Sequence, residues 1–298
     1  MFTLEHELES LAEPRLAALI ARERREVFSL QPEVRVAGWA GATLLATAAG
    51  IVLKNNLERI GPLALAVMMG IAAAACYAFV WWRRERASIA DDYVLLLGAL
   101  LVSADVAFIE TQFHLFGAHW KRHLLLLAVL HGATAYAYRS RMLLSLSIAA
   151  LAGWLGVDRA GRPEDLAIPA FLSAACVMAW RELDRRLNRH TSFTTTFDHF
   201  AANLAFAGGL ALLFENDTRT IGTFLTIALA AVVIAWALRM RRESFALYAV
   251  LYAVVAIDVF LIDAAKDDKT GLVIVIASII GSIAALLALH ARFRELRR

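Results

Sequence analysis

Two carboxylates stand several residues inside apolar segments, where charge is costly. Asp105 opens the run Asp105-Val-Ala-Phe-Ile-Glu110, and Asp258 opens the similar run Asp258-Val-Phe-Leu-Ile-Asp263. An ionised side chain at the centre of a bilayer costs about 2.5–3.5 kcal/mol on insertion scales, so such groups mark ion pathways, proton relays or tightly paired structural contacts. His131 lies in the apolar segment that follows Asp105. Folded as an antiparallel helical hairpin, the two segments place both side chains about 8 residues, or ~12 Å, from the same edge. An Asp105–His131 pair relieves the cost of burying either group and provides a proton-accepting site. The plainer alternative is a satisfied buried pair that fixes helix packing, or an Asp105 bonded to Ser103 or Thr134. In the second copy Ile280 stands where His131 would be. The copies are chemically unequal, which favours one working site over two. Tyr248 and Tyr252, at i, i+4, could turn hydroxyls toward a cavity or serve aromatic packing.

A second candidate cluster lies at the ends of the acidic segments. It comprises Glu110, Gln112 and His114 after Asp105, and Asp263 after Asp258. Glu110 and His114 share a face only if the helix runs that far. His119 and His123 form another i, i+4 pair, and helical His-x3-His spacing can bind zinc. Trp120 occupies the position where a zinc protease carries its glutamate, so interfacial histidine is the simpler reading. No metal site, cofactor or catalytic residue is expected. The sequence has no Gly-rich phosphate loop, no Gly-x-Ser-x-Gly, no Cys-x-x-Cys and no Arg-rich span. Cys76 and Cys176 read as small buried residues.

The elements that must position these groups follow from composition. Sixty per cent of the 298 residues are hydrophobic. The charged residues cluster between apolar runs of roughly 15 to 22 residues, about what a helix needs to cross ~30 Å of hydrocarbon. Runs of this length cross a bilayer as helices. Ten spans are predicted, at 36–53, 61–82, 93–112, 123–138, 142–157, 166–180, 200–214, 221–238, 244–263 and 271–290. The sixth and seventh are short and either extend into their flanks or lie at a thinned position. Of 30 Lys and Arg, 21 fall on the side of the N-terminus and 9 on the other. This bias places both termini in the cytoplasm. The net charge of +3 comes from Arg at membrane edges and does not point to nucleic acid. The first residues lack a basic stretch followed by an apolar run, so no cleaved signal peptide is expected. Leu4, Leu8 and Leu11, then Leu16, Leu19, Ile20 and Val27, form an apolar stripe before the first span. This amphipathic segment, 1–35, lies on the cytoplasmic leaflet or under the bundle, or docks a partner.

The landmarks recur in order. Asn56 to Gly61 resembles Asn216 to Gly222, and Arg83-Arg84-Glu85-Arg86 resembles Arg239-Met240-Arg241-Arg242. The two acidic runs follow, and then Ala128-Val-Leu-His131-Gly132 matches Ala277-Ser-Ile-Ile280-Gly281. An even number of spans separates the copies, which predicts a parallel repeat about an axis along the membrane normal. The expected domains are 1–35, a four-helix repeat at 36–138, a linking hairpin and cytoplasmic loop at 139–199, and a second four-helix repeat with a basic tail at 200–298. Glycines 41, 50, 132, 208, 209 and 281 read as close helix contacts.

The N-terminal half resembles the bacterial predicted membrane proteins grouped as DUF2157. The pattern is a helical start, a Gly/Ala-rich first span ending at Asn55-Asn56, a basic stop after span two, and a third span ending in Gln112-Phe113-His114. The family usually shows Asn-Trp in the first loop, where this chain has Asn-Asn. The resemblance covers about residues 10 to 157 and brings no substrate with it. The expectation is therefore an all-α polytopic bundle in the bacterial inner membrane. The leading reading is transporter-like or channel-like handling of a small solute or proton. The alternatives are an accessory or scaffold subunit, in contact with other membrane proteins or its own copies, and an intramembrane enzyme acting on a lipid-linked substrate.

Overall fold

The computed structural model describes residues 36–45, 47, 48, 50, 51, 61–84, 89–115, 117, 121–157, 163–187, 191–215, 217–265 and 268–297. The amphipathic start at 1–35, the loop containing Asn55-Asn56, Glu85-Arg86, His119-Trp120 and Asn216 lie outside the described residues. Among the described residues every regular element is helical, with no strand. The helices are α1 (Val36–Leu45), α2 (Pro62–Arg83), α3 (Ile89–Phe113), α4 (Arg122–Tyr138), α5 (Arg141–Leu155), α6 (Pro163–Arg186), α7 (Thr194–Phe214), α8 (Arg219–Met240), α9 (Glu243–Ala264) and α10 (Asp268–Arg297). Seven of them, α2, α3 and α6 to α10, are long and apolar enough to cross a membrane. The remaining three, α1, α4 and α5, coincide with expected spans but are shorter.

The sixth and seventh spans follow the first of their two expected alternatives, extension into their flanks. The sixth and seventh spans were expected at 166–180 and 200–214. Their helices run from Pro163 to Arg186 and from Thr194 to Phe214. The added turns carry Arg181, Asp184 and Asp198, whose charges are paired or hydrogen-bonded. A partnered charge can be buried among packed helices at less cost than a lone one, so the helix need not stop where the apolar run does.

The chain divides into two compact units, Met1–Asp105 and Val106–Arg298, the boundary falling within α3. In the first unit α2 begins with Pro62 at its first turn after Gly61 at φ 83°. The N–H that Pro lacks is not needed there, and Gly takes a positive φ without a Cβ penalty. Gly98 of α3 faces Cys76 of α2, where an added Cβ would come within 3.0 Å. Arg83 and Asp91 form an ion pair at 3.7 Å across the turn between these helices.

In the second unit α4 packs on α5, α6 on α7, α7 on α8, α8 on α9 and α9 on α10. Two tight turns share one geometry. Arg139 and Arg241 adopt φ 54° and 55°, and Ser140 N–H and Arg242 N–H bond back to the Ala135 and Ala237 carbonyls at 3.1 and 2.9 Å. These six-to-one bonds satisfy carbonyls that each helix end would otherwise leave without a partner. The core at this end joins Phe245, Ala246 and Ala237 to Phe293, which reaches in from the last turns of α10.

Of the six glycines expected at helix contacts, three are so placed. A Cβ on Gly132 would come within 3.1 Å of Ser147 Oγ, on Gly208 within 2.9 Å of the Phe171 ring, and on Gly209 within 2.5 Å of Thr226 Oγ1. Gly41, Gly50 and Gly281 have no such neighbour among the described residues.

Candidate functional site

Asp105 belongs to the first unit and His131 to the second, so each is described in its own surroundings. Asp105 is half-buried on α3, with Oδ2 3.4 Å from where a Gly70 Cβ would stand. Its Oδ1 is shielded from solvent with no donor among the described residues. Ser103, a proposed donor, instead gives its hydroxyl to the Ala99 carbonyl at 3.0 Å. Thr134 likewise bonds its own helix, at the Leu130 and His131 carbonyls. Main-chain carbonyls one turn back are the nearest acceptors for a helical Ser or Thr. His131 is buried on α4.

Asp258 is half-buried on α9. One oxygen accepts a 2.8 Å hydrogen bond from Ser278 of α10, and the other is shielded with no donor among the described residues. Ser278 lies two positions before Ile280, the residue aligned with His131. The outer-edge residues differ in exposure. Glu110 is buried near the end of α3, while Gln112 and His114 are exposed. α3 stops at Phe113, and His114 takes φ 49°, so the shared helical face of Glu110 and His114 does not form. Asp263 pairs with Arg219 at the start of α8. Among the described residues no group of three or more His, Cys, Asp or Glu is placed to hold a metal ion.

One buried polar arrangement was not singled out from the sequence. Asp198, on the first turns of α7, is buried between two guanidiniums. Arg181 Nε from α6 stands 2.5 Å from Oδ1, and Arg242 Nη1 from the α8–α9 turn stands 2.7 Å from Oδ2. Aromatic rings surround it. His199 stacks on Phe245 at 4.2 Å, and the Arg242 guanidinium lies 5.6 Å from the Trp236 ring centroid and 5.9 Å from that of Phe245. Deeper along the same helices, Tyr252 donates its hydroxyl to Asn203 Oδ1 at 3.0 Å and stacks on Phe206 at 4.4 Å. Tyr248 packs among Phe206, Phe245 and Tyr252. Both tyrosines therefore take part in aromatic packing. The sequence signal for the cluster was faint: Thr-Thr-Phe-Asp198-His-Phe reads as a polar loop unless the distant Arg242 is placed beside it.

A second polar bridge ties α4 to α6. Tyr136 donates to Asp184 Oδ1 at 2.9 Å and accepts from Trp180 Nε1 at 3.0 Å. Asp184 is buried. Replacing Tyr136 with Phe removes a donor from a buried carboxylate and an acceptor from an indole. It should lower stability by about 1–3 kcal/mol, read as a drop in the thermal unfolding midpoint of the detergent-solubilised protein; an unchanged midpoint would show that the bridge adds nothing.

Between α6, α7, α8 and α9 an apolar cleft of about 380 Å³ is lined by Met178, Ala205, Val232, Val233, Trp236 and Phe245 among others, with Asp198 its charged lining residue.

These helices make the chain an integral membrane protein. No curated protein and no solved structure matches it. Residues 6–144 match the model of the family described as predicted membrane protein (DUF2157), and the family resemblance read from the sequence holds over that stretch.

Proposed function

We propose that the protein moves a proton or small solute across its membrane, with Asp105 and Asp258 as the ionisable groups. The observation that carries this reading is the state of the two carboxyls. Each lies within an apolar span and keeps one shielded oxygen that no donor among the described residues reaches. Buried polar atoms are nearly always hydrogen-bonded, and the exceptions need a reason. A carboxyl oxygen with no protein donor can accept a passing proton or coordinate a cation, which a saturated structural pair cannot do. His131, in its own unit, is the third group of this reading, and Glu110, Gln112, His114 and Asp263 are its candidate outer-edge residues.

The reading includes an inner-membrane location with both ends cytoplasmic, supported by the 21 to 9 partition of basic residues. It also includes a parallel four-plus-four repeat, supported by the ordered landmarks. The test is flux in vesicles containing the purified protein and a trapped pH-sensitive dye. Asp105→Asn and Asp258→Asn should each reduce proton flux about tenfold or more, equivalent to at least ~1.4 kcal/mol of barrier. Flux that persists undiminished in both variants ends the proposal, as does a wild type that carries none.

One observation favours a second reading, an accessory subunit. No residue in the apolar window of α10 is fully buried within the chain, and Leu272, Ile276, Ile279, Ile283 and Leu287 are exposed. Lipid or another membrane chain covers such a face. Co-purification of a stoichiometric second chain from native membranes would favour it.

A further inference from the structure

The cleft between α6, α7, α8 and α9 includes neither Asp258 nor any outer-edge residue in its lining. We propose that it binds an anionic phospholipid of the surrounding bilayer, with one acyl chain along the cleft and the phosphate on Arg242 and Arg181. All four helices are candidate spans, so the cleft lies where hydrocarbon is the solvent. Its lining residues Met178 and Val232 are themselves exposed, which opens it toward lipid rather than sealing it. A chain entering it meets methyl, thioether and aromatic surface almost throughout.

The charged end decides the headgroup. One carboxylate, Asp198, faces two guanidiniums, so that the cluster carries one positive charge in excess. Each guanidinium has five N–H donors, and its planar fork matches phosphate oxygens. Arg242 lies within 6 Å of the rings of Trp236 and Phe245 and bonds Asp198, all three of which line the cleft, so the cation stands beside the cleft wall. Basic pockets between spans are a recurrent fit for anionic lipid heads. Free phosphate would make no use of the apolar lining. A peptide would bring backbone groups that this lining cannot satisfy. A zwitterionic lipid would bring a cationic group toward an existing positive excess.

The experiment uses the full chain, purified in neutral detergent and exchanged into mixed micelles of phosphatidylglycerol and phosphatidylcholine in equal amounts. Retained lipid is counted by native mass spectrometry. Wild type should retain phosphatidylglycerol over phosphatidylcholine by about tenfold, the range set by one or two charge-assisted hydrogen bonds. Arg242→Gln should bring the ratio near one, because the Asp198–Arg181 pair remains and no excess charge is left. Arg242→Lys should keep most of the preference. Ala205→Leu, which narrows the cleft without touching the charge, should lower retention of both lipids. Equal retention of the two lipids by wild type overturns the proposal. So does displacement of phosphatidylglycerol by millimolar inorganic phosphate, which would mark a plain anion site. Should Arg242→Gln fail to fold, an Ala205→Leu protein that retains phosphatidylglycerol as wild type does overturns it alone.

Discussion

Replacing Asp198 with Ala should cost about 3 kcal/mol of stability, a loss seen as a lowered unfolding midpoint in detergent. The substitution leaves the Arg181 and Arg242 guanidiniums facing each other without their shared counter-charge. Breaking one partner out of a buried ion pair costs about 3–5 kcal/mol, because the remaining charge stays desolvated. The low end applies here, since the two arginine side chains keep 24% and 34% of their surface exposed. Arg242→Gln should cost less, because Arg181 still neutralises Asp198. The double variant Asp198→Ala with Arg242→Gln should cost less than the sum of the singles by about 1 kcal/mol or more, the signature of groups acting together. Strict additivity in that cycle would show that the two side chains are merely adjacent. The reason for so large an effect lies in the setting. Lipid gives helices no hydrophobic drive to associate, so packing and polar contacts carry the association of α6, α7 and α9.

Gly222→Ala should be the next most damaging change, and Gly281→Ala its control. A Cβ at position 222 would stand 2.6 Å from the Leu212 carbonyl carbon and against the Leu213 amide nitrogen. Both are backbone atoms of α7, which cannot move aside as a side-chain tip can. Overpacking of this kind costs about 1–3 kcal/mol where side chains can adjust, and the upper end applies against backbone. At Gly281 nothing lies within 4 Å. Alanine there should be neutral or should stabilise α10 by up to ~1 kcal/mol through helix propensity. Equal midpoints for the two variants would refute the close approach of α7 and α8. The two glycines matched in the sequence, Gly61 and Gly222, thus serve different ends: a positive φ before α2 at one, a close helix contact at the other.

Apolar runs were legible because a membrane helix must be long and apolar, and seven of the ten expected runs carry helices long and apolar enough to cross a membrane among the described residues. What shortened the expected boundaries was charge at the ends. Arg181 and Asp198 look like loop residues one at a time. They lie on helices as each other's partners, and Arg242, 44 residues beyond Asp198, completes the set. No local pattern encodes that meeting. The same limit applies to Asp258. Its position within a span could be read directly, but its bond to Ser278 depended on which turn of α10 lies opposite. Glu110 and His114 show the reverse case. Their four-residue spacing suggested one face, and the helix ended at Phe113, one residue short of the condition that spacing needed.

The amino-acid order by itself determined that this chain is helical and membrane-embedded, because bilayer hydrocarbon admits backbone only when its polar groups are bonded within each segment. It also determined where the intramembrane carboxyls fall along the chain. Only the tertiary structure decided which charges face one another, that Asp198 is buried between Arg181 and Arg242, and that an apolar cleft is lined by it. Segment identity follows from local hydrophobicity summed along one helix. Pairing follows from the rotation and crossing of several helices at once, and small residues such as Gly209 and Gly222 set these by how closely they let backbones approach.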